Sequence, residues 1–342
     1  MALASRAAVS ILAGLAAVPA TAHDDPIHAI EGFFSEANIV SGPEIVECTL
    51  SGGTETSCFS ITVKPEPTGY TPGPWCPTNI ADGADKGGIW FVDGGIADVD
   101  GDFITRLAEL YGDTEWKLYD DDTGEVRYTG TLAACEAAAR PDVDPDYNNY
   151  CVQCLPEYVA EDTAVTYVIP MTPALMDSPA QTTRAGSGLA WNGIRLDGPA
   201  PVDAILGAHT IAPFDDCGGH VNTHVGYHYH AVTTCLDDAP GATTEVAAKD
   251  RQIGIAMDGL PIMAHRDDLV DQLDQCNGMT PDGGSYRYYA GEPGSNAILG
   301  CHVAEVGCTL EDAGGTCDAT MTHAGPPPGA GQDGPPPPPM ND

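Results

Sequence analysis

Gly186-Ser187-Gly188-Leu189-Ala190-Trp191-Asn192-Gly193-Ile194-Arg195-Leu196 returns further along the chain as Gln252-Ile253-Gly254-Ile255-Ala256-Met257-Asp258-Gly259-Leu260-Pro261-Ile262. Each copy sets Asn-Gly or Asp-Gly between two apolar runs. Those dipeptides tolerate the positive φ of a type I′ turn, so each copy predicts a tight β-hairpin. The correspondence continues downstream: Phe214-Asp215-Asp216-Cys217-Gly218-Gly219-His220 aligns with Leu273-Asp274-Gln275-Cys276-Asn277-Gly278-Met279. Likewise Tyr227-His228-Tyr229-His230-Ala231 aligns with Tyr286-Arg287-Tyr288-Tyr289-Ala290. A hairpin and a strand that recur together predict two duplicated β units packed against each other, unit one over 186–235 and unit two over 252–301.

The duplication sorts residues by role. Shared between the copies are the hairpin turn, Cys217 with Cys276, the glycine that follows, and the tyrosines, which read as scaffold. Private to unit one are His220, His228 and His230, replaced in unit two by Met279, Arg287 and Tyr289. Side chains alternate along a strand, so His228 and His230 share one face while Tyr227 and Tyr229 share the other, packed beneath. Neutral imidazoles suit borderline divalent ions, and three of them with an open position suit zinc or copper. A His-X-His pair is also what a wet strand face contains; joint loss of all three histidines from unit two favours a site over a surface. His209 and His224 stand as additional ligands or supporting groups, and Asp215 or Asp216 as acceptors for the free ring N–H of a ligand.

Twelve cysteines, an even number, read as a disulfide framework in an exported chain. Cys48 with Cys58 and Cys308 with Cys317 flank glycine-rich stretches and can close local loops. A cysteine follows each Tyr-X-Tyr strand, which predicts bridges Cys217–Cys235 and Cys276–Cys301. Connectivity among Cys76, Cys135, Cys151 and Cys154 stays open, with structural bridges preferred to a redox use of Cys151-Val152-Gln153-Cys154.

The 342 residues carry 50 Asp and Glu against 13 Lys and Arg, a net charge of −37, which argues against nucleic acid and anionic membranes as partners. Residues 1–22 have the apolar run and small residues of a cleaved signal peptide, giving an exported, periplasmic or extracellular protein without membrane insertion. Cleavage before His23 would leave an amine and ring nitrogen able to chelate copper; cleavage before Thr21 would not. Next come a β-rich, disulfide-containing region over 23–183, the duplicated domain over 184–302, and a segment over 303–342 ending in a Pro/Gly-rich tail. Helical spacing marks Phe103 to Tyr111 and Leu132 to Ala139. Strands are expected at Ile45–Leu50, Cys58–Val63, Gly88–Val92, Trp116–Tyr119, Glu125–Tyr128 and Ala164–Ile169. Asp98-Val99-Asp100-Gly101-Asp102 reads as an acidic turn capping the first helix rather than a calcium loop, because Phe103 stands where the loop glycine belongs. The fold class is therefore mainly β with a few short helices, α+β.

The segments Asp216-Cys217-Gly218-Gly219-His220, Gly226-Tyr227-His228-Tyr229-His230, Gly254-Ile255-Ala256-Met257-Asp258-Gly259, Leu273-Asp274-Gln275-Cys276-Asn277-Gly278 and Tyr286-Arg287-Tyr288 resemble the YHYH family of exported bacterial proteins. The likeness runs over roughly Ala185 to Cys301, and Cys135-Glu136-Ala137-Ala138-Ala139-Arg140-Pro141-Asp142-Val143-Asp144-Pro145 is similar to longer members. The resemblance implies export and a shared motif set but no particular reaction. Where some members keep histidines in the second Tyr-X-Tyr element, this chain has Arg287 and Tyr289, which leaves one candidate site. Three functions compete: a copper- or zinc-binding protein, a metal-dependent hydrolase or oxidase at the same site, and a metal-free interaction module. No Gly-X-Ser-X-Gly elbow suggests a serine nucleophile.

Overall fold

The computed structural model describes residues 26–321 apart from 93–94, 141, 183–184, 238, 240–249 and 311–314. The signal segment, the His23 arm and the Pro-rich tail lie outside the described residues. In chain order the first half contains α1 (Pro26–Phe33), β1 (Ile39–Thr49), β2 (Glu55–Val63), β3 (Ile89–Val92), β4 (Gly95–Asp98) and α2 (Gly101–Leu110). There follow α3 (Leu132–Ala138), β5 (Val165–Pro170), β6 (Leu175–Ala180), β7 (Gly188–Ala190), β8 (Arg195–Leu196) and α4 (Val202–Gly207). The remaining strands are β9 (Gly219–Asn222), β10 (Gly226–Tyr229), β11 (Gln252–Ala256), β12 (Pro261–Met263), β13 (Gly278–Met279), β14 (Arg287–Tyr289), β15 (His302–Ala304) and β16 (Cys308–Leu310). The protein is mainly β with short helices, as its alternating apolar pattern requires.

An eight-stranded sheet runs β13-β14-β12-β11-β7-β8-β10-β9 and reads the same from either edge. At its centre β11 and β7 pair antiparallel, Ile255 opposite Leu189. Outward on each side come an antiparallel hairpin, a parallel partner and an antiparallel edge strand. The parallel pairs are β8 with β10, Arg195 opposite His228, and β12 with β14, Ile262 opposite Tyr288.

The hairpin turns differ from the type I′ expectation. Ala190 N bonds Ile194 O at 2.9 Å and Gly193 N bonds Ala190 O at 2.9 Å, enclosing a three-residue loop closed by Gly193 at φ 79°. Ala256 N to Leu260 O at 2.8 Å and Gly259 at φ 82° repeat that geometry. Asn192 and Asp258 are not among the positive-φ residues. The physical reason is burial: Asn192 Nδ2 donates to the Tyr229 hydroxyl at 2.9 Å, and Asp258 accepts from the Tyr288 hydroxyl at 2.5 Å and from Ala304 N at 3.2 Å. These side chains hold the core, and glycine alone supplies the left-handed residue.

A second sheet, β1-β2-β5-β16, draws strands from both sides of the eight-stranded sheet in the sequence, and β15 pairs with β6 in a similar crossing. Helix α2 is capped by Asp100, which accepts from Phe103 N at 2.8 Å, so the acidic turn is a cap. The expected strands at Trp116–Tyr119 and Glu125–Tyr128 are reduced to isolated bridges, Asn79 with Glu125, Tyr119 with Val126 and Tyr128 with Cys151. Asp120 accepts from Asp122 N, Thr123 N and the Thr123 hydroxyl, and this tight turn leaves too few residues for a ladder. The short helices α1 and α4 were not among the helices expected from the sequence.

Six disulfides use every cysteine: Cys48–Cys58, Cys76–Cys151, Cys135–Cys154, Cys217–Cys235, Cys276–Cys301 and Cys308–Cys317. Cys135–Cys154 ties α3 to the segment that walls the candidate site. Trp75 Nε1 donates to Gly219 O at 2.9 Å, and Ile89 bridges Phe214, so the N-terminal region is packed onto unit one.

Candidate metal centre

The β9–β10 hairpin places the histidines. His220 and His228 are directly opposite across its antiparallel register, and His230 follows two residues later on the same face. The turn feeding β9 is held by Asp215, whose Oδ1 accepts from Cys217 N and Gly219 N, both at 3.1 Å. Gly218 sits at φ 87°, and a Cβ there would meet Ala231 O at 2.4 Å. Gly218 O in turn accepts from His230 N at 3.1 Å, so the turn locks the end of the histidine strand.

The three rings pack edge to face, with centroids 4.7 Å apart for His220 and His228, 4.9 Å for His228 and His230, and 5.0 Å for His220 and His230. One nitrogen from each lies within 4.8 Å of the others. His228 Nδ1 bonds Gly226 O at 3.0 Å and His230 Nδ1 bonds Gly198 O at 2.5 Å. A carbonyl oxygen only accepts, so each Nδ1 carries its proton and each Nε2 a lone pair. Those two Nε2 atoms face one another at 3.2 Å. Two imidazoles on one tetrahedral ion, each bonded at roughly 2.0–2.1 Å, would stand about 3.3 Å apart. Phe214, fully buried, stacks on His230 at 5.4 Å and meets His220 edge-on at 5.2 Å, fixing both rings from behind.

Burial, followed by the neighbouring imidazoles, holds His220 and His228 well below the usual histidine pKa, and burial lowers His230 too. The rings are thereby kept neutral, the form that ligates metal. His228 and His230 are buried while His220 is half-buried, so the cluster faces outward on the His220 side.

The accompanying candidates are elsewhere. His209 bonds Asp113 at 2.8 Å and groups with Glu115, apart from the triad. His224 is exposed on the β9–β10 turn, its backbone N bonded to Asn222 Oδ1 at 2.8 Å, and Asp216 is exposed. Asp215 does not accept a ligand's ring N–H; it accepts the Tyr227 hydroxyl at 2.9 Å and Gly73 N at 2.9 Å on the opposite face of the hairpin. Backbone carbonyls take the supporting role assigned to the aspartates, Gly226 O from the strand of His228 and Gly198 O from the loop after β8. Burial raises the Asp215 carboxyl pKa, although the N–H groups of Gly73 and Gly219 and the Tyr227 hydroxyl pull the other way. Tyr227 and Tyr229 are buried, and both bond the hydroxyl of Tyr70, at 3.1 and 2.6 Å. Tyr70, Phe214, Gly198 and Asn192 complete this arrangement; of these Asn192 and Phe214 carried a sequence signal, their places in the repeated segments.

Above the triad opens a cavity of about 240 Å³. The three histidines line it together with Ala139 and Val143 on one side, Val152 from the Cys154 segment, and Ala204 and Ile205 of α4.

The geometry thus defines a β-rich, disulfide-stapled protein with a histidine triad beneath a cavity. Residues 166–271 match the family model described as YHYH protein. That stretch begins in β5, contains all three histidines and ends before Cys276, so it takes in the second hairpin but not the second Tyr-X-Tyr strand. No curated protein and no solved structure matches the chain.

Proposed function

We propose that this is an exported metal-binding protein that holds a copper or zinc ion through His220, His228 and His230. One observation carries the reading. The Nδ1 protons of His228 and His230 are committed to Gly226 O and Gly198 O, leaving two Nε2 lone pairs pointed at each other across 3.2 Å. That arrangement is repulsive unless a cation lies between them, and burial disfavours a proton as that cation. Six disulfides with no free cysteine among the described residues support an oxidising compartment outside the cytosol, periplasmic or extracellular. No helix among the described residues is long and apolar enough to cross a membrane.

Elemental analysis of the full chain purified from the export compartment tests this. The expected result is one equivalent of copper or zinc in the native protein and none in His228→Ala or His230→Ala. A metal-free native protein, purified from metal-replete cells, rejects the reading and favours an interaction module. The cavity beside the triad supports a second reading, a metal-dependent enzyme whose open coordination position holds an activated water.

A further inference from the structure

The cavity over the triad is bounded by all three histidines. We infer that it receives a carboxylate or phenolate whose anionic oxygen takes the ion's open position and whose single ring or short hydrocarbon body fills the cavity. The inference rests on the metal reading and extends it to the class of ligand.

Three observations point there. First, the walls are apolar, formed by Ala139, Val143, Val152, Ala204, Ile205 and Ala212. The histidines aside, each polar side chain among the lining residues makes a bond within the protein. Thr210 Oγ1 donates to Ile205 O at 2.7 Å and Gln153 Oε1 accepts from Cys76 N at 3.1 Å. Arg140 pairs with Asp142 through Nε at 2.8 Å, and Asn222 Oδ1 accepts from His224 N at 2.8 Å. The ion is thus the strongest polar partner on offer.

Second, charge selects the head group. Three neutral imidazoles leave a divalent ion with its whole charge in a partly buried, apolar setting, where an anionic fourth ligand is strongly favoured over a neutral one. Among the described residues no carboxylate lines the cavity to supply that charge from the protein. Third, size selects the body. A cavity of about 150 Å³ accommodates benzene. The 240 Å³ here leaves room for one ring and a carboxylate.

The test loads the full exported chain with cobalt(II), whose visible spectrum reports its ligands, and titrates benzoate against acetate. The two share a head group and differ in the ring. Benzoate is expected to bind at least about tenfold more tightly, a factor equal to about 1.4 kcal/mol and modest for burying a six-carbon ring. Ala204→Trp and, independently, Ala139→Trp fill the cavity from opposite walls at exposed positions. Each is expected to remove the benzoate preference while leaving cobalt stoichiometry unchanged; two variants guard against one that misfolds. Equal affinities for benzoate and acetate, or a preference that survives both tryptophans, overturn the inference and leave the metal site standing. Failure to bind cobalt overturns the metal reading and the ligand class with it.

Discussion

The two halves of the eight-stranded sheet are built on the same hydrogen bonds and end in different chemistry. In unit one Asp215 Oδ1 accepts from Cys217 N and Gly219 N and takes the Tyr227 hydroxyl; in unit two Asp274 Oδ1 accepts from Cys276 N at 2.8 Å and Gly278 N at 3.1 Å and takes the Tyr286 hydroxyl. His230 N bonds Gly218 O, and Tyr289 N bonds Asn277 O. Even the left-handed residue recurs, as Gly218 at φ 87° and Asn277 at φ 60°. Against this common frame the ligand positions diverge: Met279, Arg287 and Tyr289 stand where unit one has histidines, and Arg287 turns to Asp250 at 3.9 Å. The scaffold therefore does not require histidine. Whatever keeps three of them in unit one acts on the site and not on the fold.

That separation can be broken experimentally. The largest effect is on metal: replacing His228 and His230 together by alanine is expected to abolish metal retention, read by elemental analysis, whereas Arg287→Ala with Tyr289→Ala leaves it unchanged. Loss of metal in the second pair would join what the comparison holds apart.

The disulfides come next. Opening Cys217–Cys235 or Cys276–Cys301 by serine substitution releases loops of 18 and 25 residues, and each is expected to cost about 3 kcal/mol in denaturant unfolding. Only the first also frees the turn leading to His220, so only it weakens metal binding. Equal metal affinities in the two variants would show that the bridge does not position the site.

A smaller asymmetry separates the aspartates. Asp215 is buried and also accepts Gly73 N, whereas Asp274 is exposed. Asp215→Ala leaves buried donors without a partner and is expected to cost about 2 kcal/mol. Asp274→Ala removes an exposed carboxylate whose half-buried Tyr286 partner can turn to water and costs clearly less, and unfolding curves of the two side by side measure the difference.

The smallest effect is on pH. Burial raises the Asp258 carboxyl pKa, while Asn192 occupies the same turn position in unit one and does not titrate. A raised folded pKa means that the native state holds the proton more firmly than the unfolded chain. This contribution to stability is full below the unfolded carboxyl pKa and is lost as pH rises through the folded value. Asp258→Asn is expected to flatten that decline in melting temperature between acid and neutral pH, and an unchanged slope would place the dependence elsewhere.

Much of the scaffold was legible because it rests on local patterns. The glycine turns, the alternation in Tyr-His-Tyr-His, and the cysteine after each Tyr-X-Tyr strand all lie within a few residues of what they organise. The same alternation brought His220, His228 and His230 into one candidate site. The supporting groups were less legible. Asp215 and Asp216 looked like partners for the rings because they are close in sequence, yet Asp215 points to the tyrosine face and Asp216 to solvent. The type I′ expectation failed for a related reason: turn statistics describe the backbone of Asn192 and Asp258, while the core dictates where their side chains go.

By itself the sequence determined the mainly β class, the matched hairpins and the three histidines, since strand periodicity and turn chemistry act over short distances. Only the tertiary structure decided which carbonyls set the imidazole tautomers, how close the two Nε2 atoms approach, and that the Ala139–Val152 segment and α4 close an apolar cavity over them. Those features join segments far apart in the chain through packing and the Cys135–Cys154 bridge, and no local pattern encodes such contacts.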